Sequence, residues 1–341
     1  MKTWGLSFFL VILVFASSSA KANTAAFTND PYLKKQKFFS SIGAAEAYSL
    51  LASGFAFSNS QPALIGVVDQ GSIVISHPEL LGQVFEESDF DDSPVGHGQF
   101  VLGIMAAKSN NGYGIAGVAG QFAQFLYRNI PTQKRKADLD QLAEVLRDFG
   151  RKGFDVVNLS FSVESNCRNQ APQSIDECHF ALVSNSFLTK VMKETAQQYG
   201  TVFVIAAGNS FQELPRLTSP QDGIIVVGAA NESRKLSSYS NYGAGVDLYV
   251  AEGGIYSLTR TGVAKPQQGT SFAAPVVSSV VGLVGRYLKN NGVQLTAGEL
   301  AQLVVNSSQI ETGLLKKNSS GRHLDFRKIA LEAQMKAQKH R

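Results

Sequence analysis

The sequence predicts an α/β protein in three layers, a mostly parallel central sheet with helices on both faces. Continuous apolar runs of strand length recur along the chain, and segments with helical periodicity fall between them. No linker, internal repeat or low-complexity block divides residues 23–341. One domain in which β and α elements alternate accounts for this order, because a parallel sheet needs a crossover element between its strands.

Ala63–Val68 is uninterrupted apolar sequence, as expected of a strand buried on both faces, and Gln124–Ile130 reads as a second strand. Asp138–Arg151 is amphipathic, with Leu139, Leu142, Val145, Leu146 and Phe149 on one stripe. Its acidic start and basic end suit the helix dipole. Asp155–Ser160 follows as a strand, Phe180–Tyr199 as a helix, and Thr201–Ala206 and Gly223–Gly228 as further buried strands. Phe272–Leu288 is apolar nearly all round, which marks a core helix rather than a surface one.

Composition bounds the function. The chain has 341 residues, 44% apolar and 17% charged, enough for a large core and too apolar for a disordered chain. A formal charge of +4 gives no reason to expect a nucleic-acid partner. Lys2, the apolar stretch Leu6–Phe15 and the small-x-small site Ala20-Lys21-Ala22 read as a signal peptide over residues 1–22, too short in its apolar part to span a bilayer. The expected product is a secreted or periplasmic monomer without a membrane span. Cys167 and Cys178 are the only cysteines. In an exported chain a close pair favours a disulfide worth roughly 2–3 kcal/mol, with two free thiols in a surface insertion as the alternative.

Three motifs carry chemistry. Val67-Val-Asp-Gln-Gly71 places Asp69 at the C-terminal end of a buried strand, where open α/β sheets hold their ligands. Gly96-His-Gly98 opens a helix with His97 between two glycines, leaving the ring approachable. Gly269-Thr-Ser-Phe-Ala-Ala-Pro275 sets Ser271 at the start of the core helix, whose N–H groups suit an oxyanion. Each has a plain structural reading: a helix cap, a core histidine, an N-cap.

Together the motifs resemble the subtilisin-like serine proteases, whose triad runs in the chain order Asp, His, Ser. Ala206-Ala-Gly-Asn209, Asn29-Asp-Pro31, Ser76-His-Pro-Glu79, Gly117-Val-Ala119, Asn158-Leu-Ser160 and Val227-Gly-Ala229 extend the resemblance from about Asn29 to Gln334. It implies Asp69, His97 and Ser271 as catalytic residues, Asn209 in the oxyanion hole, and Ser160, Phe161 and Ser162 along the substrate cleft. The substrate would be a peptide or protein, and the chemistry would require no cofactor. The competing reading is a catalytically weak or inactive protein that keeps the fold and binds peptides.

The resemblance also implies a structural calcium site involving Glu79 and Asn111, within the 6–8 oxygen ligands such an ion takes. His77 matches a structural His-Pro pair, and His179, His323 and His340 have no catalytic support. Departures from the family pattern fall at Gln70, Gln99 and Phe100, and at Ser162 and Val163, where glycines are usual. Bulkier residues there reshape the cleft, so a substrate preference does not carry across. Lys134-Arg-Lys136 reads as a solvated basic loop, with a preference for acidic peptides as the bolder alternative. Residues 23–68 hold too little chain for both a mature-like N-terminus and a separate pro-domain, so none is expected.

Overall fold

The computed structural model describes residues 28–55, 60–87, 96–130, 136–164, 179–252, 254–263, 266–315 and 319–340. The signal-peptide region and both cysteines lie outside the described residues.

The sheet is built from β1 (Ala63–Gln70), β2 (Val84–Glu86), β3 (Ala123–Ile130), β4 (Val156–Leu159), β7 (Val202–Ala206), β8 (Ile224–Ala230) and β9 (Leu248–Ala251), all parallel. Two short strands, β10 (Gln309–Ile310) and β11 (Arg322–His323), extend one edge. The remaining β5 (Ser162–Glu164) and β6 (His179–Ala181) form a separate antiparallel pair. The spatial order is β10-β11-β9-β8-β7-β4-β1-β3-β2. From β1 the chain builds outward through β3 on one side. From β4 it builds outward through β7, β8 and β9 on the other. The order therefore reverses between β1 and β4, and it is at the carboxyl ends of the strands beside such a reversal that sheets of this kind place their ligand crevice.

The two faces follow from the alternation of β1. A Cβ built on Gly66 would meet the Phe149 ring at 2.6 Å, on helix α4 (Lys136–Arg151). Its neighbour Ile65 points the other way and lies 3.0 Å from the position of a Cβ on Gly282, in helix α6 (Thr270–Asn290). Glycine at position 282 thus lets the core helix lie directly on the strand that ends in Asp69. Helices α2 (Ala44–Phe55), α3 (His97–Ala106) and α8 (Phe326–His340) pack beside α6 on its face. Helix α6 is long and apolar enough to cross a membrane, but 94% of its apolar window is buried inside the fold. It is the core helix that its all-round apolarity predicts.

One expected helix starts later than its apolar pattern suggests. Residues 179–181 form β6 and Leu182–Ser184 a 3-10 turn, and α5 runs only over Ser186–Tyr199. Asn185 explains the start: its side chain accepts from the Leu188 N–H at 3.0 Å, capping the helix there.

A buried ion cluster ties the strands to the core helix. Asp155, at the start of β4, is buried and accepts from the backbone N–H of Leu64, from Arg286 Nε and Nη2, and from Lys289 Nζ, at 2.7–3.1 Å. Both cations belong to α6, so one carboxylate joins β1, β4 and the helix that carries Ser271.

Candidate active site

Strand β1 delivers Asp69 fully buried to the crevice. Helix α3 begins at His97 and helix α6 begins one residue before Ser271. The three side chains meet in a line. His97 Nδ1 donates to Asp69 Oδ1 at 2.7 Å, and His97 Nε2 lies 2.9 Å from Ser271 Oγ. Burial lowers the affinity of the His97 ring for a second proton, but the charge and hydrogen bond of Asp69 outweigh it, leaving the imidazolium favoured above its ordinary value. The ring also packs on Phe272, 5.2 Å between centroids, and Phe272 packs on Phe100 at 4.6 Å.

Asn209 follows the end of β7 across a glycine with positive φ. Its Oδ1 accepts from the Thr270 N–H at 2.9 Å and the Thr270 hydroxyl at 3.0 Å, so its amide nitrogen is the end left toward the cleft. A Cβ placed on Gly269 would lie 3.2 Å from Ser271 Oγ and 3.6 Å from Asn209 Nδ2; the two groups flank one point at the head of α6.

The shell around Asp69 depends on close approach. Its Oδ1 also accepts from the Gln70 N–H at 2.6 Å. The buried Tyr127 hydroxyl donates to the Gly71 carbonyl at 2.5 Å. Burial, and then the negative charge of Asp69, push that hydroxyl well above its usual titration range, so it remains a donor. A Cβ on Gly98 would stand 2.1 Å from the Tyr127 oxygen. Glycine after His97 is therefore required by contact and not only by ring access.

A profile of the Subtilase family matches residues 60–328. The chain belongs to the subtilase family. It is 29% identical over 263 residues to thermitase of Thermoactinomyces vulgaris, covering 75% of this chain and 84% of thermitase. It is 29% identical over 233 residues to the thermophilic serine proteinase of Bacillus sp. strain AK1, covering 67% of this chain and 53% of that protein. The chain thus spans about half the length of that relative. Among solved structures, proteases from Pseudoalteromonas arctica PAMC 21717 superpose with a TM-score of 0.69 at 20% identity, covering 90% of this chain and 100% of theirs.

Within this subtilase two of the departures, Gln99 and Phe100, have structural explanations. Gln99 is buried; its Oε1 accepts from the Val74 N–H at 2.9 Å and its Nε2 donates to the Thr259 carbonyl at 3.3 Å, stitching two loops beside the triad. Phe100 supports the Phe272 ring. Ser160 is buried and accepts from Asn158 Nδ2 at 2.9 Å, while Asn158 Oδ1 accepts from Ser278 on α6 at 2.9 Å. Phe161 is buried, and Ser162 and Val163 lie in β5. Of the basic run, Lys134 and Arg135 lie outside the described residues, and Lys136 begins α4.

Glu79 and Asn111 do come together, but as a hydrogen-bonded unit. Asn111 Nδ2 donates to Glu79 Oε2 at 3.0 Å, and the Ile115 N–H donates to Glu79 Oε1 at 3.1 Å. Asn111 Oδ1 is taken by the Tyr113 N–H at 2.9 Å, and nearby Asp30 accepts from the Asn110 and Asn111 N–H groups. Among the described residues no three acidic, histidine or cysteine side chains cluster as a metal would need. N–H donors engage the Glu79 and Asp30 oxygens in this arrangement, and a calcium ion there would have to displace or share them. Burial, the largest influence, pushes Glu79 up to about 7 despite these donors.

His77 is no rival base. Its Nδ1 accepts from the Glu79 N–H at 3.2 Å within its own turn. His323 is buried against the Ala251 N–H at 3.0 Å, and His340 ends α8. Thr270, Phe272 and Tyr127 serve the site without having been singled out in the sequence; only Thr270 and Phe272 carry a signal, their adjacency to Ser271.

Proposed function

We propose that this subtilase is an exported serine endopeptidase that cleaves peptide bonds through an acyl-enzyme on Ser271. The observation that carries the reading is the continuous Asp69–His97–Ser271 hydrogen-bond line. Ser271 Oγ attacks the scissile carbonyl carbon while His97 Nε2 takes its proton, and His97 then returns that proton to the leaving amine. Asp69 holds Nδ1–H toward itself, which leaves Nε2 as the basic nitrogen, and stabilises the imidazolium. The tetrahedral oxyanion accepts from Asn209 Nδ2 and the Ser271 N–H at the positive end of α6. Water then attacks the acyl-enzyme by the same proton path in reverse. Every role falls to a group of the chain itself.

Ser160, Phe161 and Ser162 line the acyl side of the cleft in this reading, where the buried Ser160–Asn158–Ser278 chain holds the first of them rigid. Export rests on the N-terminal sequence, and secreted relatives are consistent with it: an extracellular basic protease of Dichelobacter nodosus is 26% identical over 359 residues. In that compartment Cys167 and Cys178 form a disulfide. Alkylation of the exported protein without reduction should leave both unmodified; two alkylated thiols refute the pairing.

Labelling with a fluorophosphonate followed by peptide mapping tests the reaction. One adduct on Ser271, lost in Ser271→Ala, is expected. A folded protein that never labels would sink the proposal.

A further inference from the structure

The proposed chemistry leaves one buried acid beside the nucleophile unused. Glu252 directly follows β9 and is 2% exposed. Its two oxygens lie 3.2 and 3.3 Å from the backbone nitrogen of Gly269 and accept that N–H. Gly269 is the N-cap of α6, two residues before Ser271. Among the described residues no lysine, arginine or histidine forms an ion pair with Glu252. A carboxyl buried without a cation is costly to keep for packing alone.

The nucleophile turn divides its N–H groups in a definite way. That of Gly269 goes to Glu252, and that of Thr270 goes to Asn209 Oδ1. That of Ser271 is left for the oxyanion. The orientation of the last peptide plane depends on the two before it, and small misplacements of reacting groups are expensive.

We propose that Glu252 is a positioning residue for the nucleophile, its buried carboxyl fixing the Gly269 N–H and thereby the aim of the Ser271 N–H and Oγ. The proposal rests on Ser271 being the nucleophile. Burial supports a neutral carboxyl, pushing Glu252 up to about 8 against the opposing Gly269 N–H. Neutrality matters here, because a charge at the head of α6 would repel the oxyanion that forms there. The groups around it are paired among themselves or neutral. Lys37 pairs with Glu232 at 2.9 Å and Arg234 with Glu311 at 2.7 Å, all but Glu311 lining one polar cleft with Glu252. His323, on β11, is held neutral by burial, down to about 4.

The test compares the full-length protein with Glu252→Ala and Glu252→Gln, following the second-order rate of fluorophosphonate labelling from pH 5 to 10 beside the melting temperature. Glu252→Ala should label about tenfold or more slowly at pH 7, well below its melting temperature. Glu252→Gln keeps an acceptor for the Gly269 N–H and cannot ionise. It should restore labelling at pH 7 and lack the fall in rate expected of the wild type as pH rises through about 8. Should Glu252→Ala fail to fold, the Gln variant alone decides through its pH profile. Wild-type labelling rates in Glu252→Ala, or an unchanged alkaline fall in Glu252→Gln, overturn the proposal. A wild type that never labels is a different outcome; it overturns the Ser271 assignment and this inference with it.

Discussion

Removing the Asp155 carboxylate should destabilise this fold severely while sparing its chemistry. In Asp155→Ala the Arg286 guanidinium, 14% exposed, loses the partner of both its bonds, Lys289 loses a 2.7 Å contact, and the Leu64 N–H is orphaned. Breaking a buried pair from one side costs about 3–5 kcal/mol, mostly as the penalty of the charge left behind. At about 2–3 °C per kcal/mol for a large domain, the melting temperature should fall by about 6–15 °C. Asp155→Asn retains an acceptor oxygen and should fall between. Asp155 sits at the amino end of β4, whereas the triad lies at the carboxyl ends of the strands, so fluorophosphonate labelling at 25 °C should stay within about threefold of wild type. Calorimetry and labelling on the same samples check both halves. A melting shift below about 2 °C would refute the idea that this cluster clamps β1 and β4 to α6.

Three further outcomes are expected. His97→Ala should lower turnover by about 10⁶-fold, the scale of subtilisin triad deletions, with little added loss in the His97→Ala, Ser271→Ala double mutant. Folded His77→Ala should keep substantial peptidase activity, and equal losses in the two histidine variants would undo the assignment of the base. Gly98→Ala forces a methyl to within 2.1 Å of the Tyr127 hydroxyl; it should cost about 1–3 kcal/mol of stability and slow labelling, and an unchanged melting temperature would contradict the contact. Glu79 titrates near 7 when folded, against 4.5 ordinarily. As pH rises through that window the unfolded chain loses its proton first, so stability should fall, by at most about 3 kcal/mol from this group. Superimposable melting-temperature profiles for wild type and Glu79→Gln between pH 4.5 and 7 would rule this out.

The elements legible in the sequence are those whose burial is written in large apolar side chains. Strands β1, β4, β7 and β8 stand out as runs rich in valine, isoleucine and leucine, and α6 as a segment apolar on every side. Helix α8 does not, because its buried stripe after Phe326 and Ile329 is Ala330, Ala333 and Ala337, too small to read as a face. Strands β10 and β11, two residues each, are shorter than any period. At the site, Asp69, His97, Ser271 and Asn209 were findable because each sits in a local motif. Glu252 was not: it acts on a residue 17 positions away, and nothing beside it in sequence announces that bond. The Glu79–Asn111 contact was hidden for a related reason. Residue types at Glu79 and Asn111 match, but which amide atom faces the carboxylate is a property of the packed loop alone.

The spacing of the triad along the chain has a bearing on how such an enzyme survives its own synthesis. Asp69 and His97 are 28 positions apart, but His97 and Ser271 are separated by 174. On the proposed assignment, a chain emerging amino end first holds its acid and base long before its nucleophile exists. Even a complete chain must close that long loop, slowly and at an entropic cost, before Ser271 can reach the base. Hydrolytic power therefore arrives as one of the last consequences of folding. Nascent and half-folded copies, the species most easily cut, are also the ones that cannot cut.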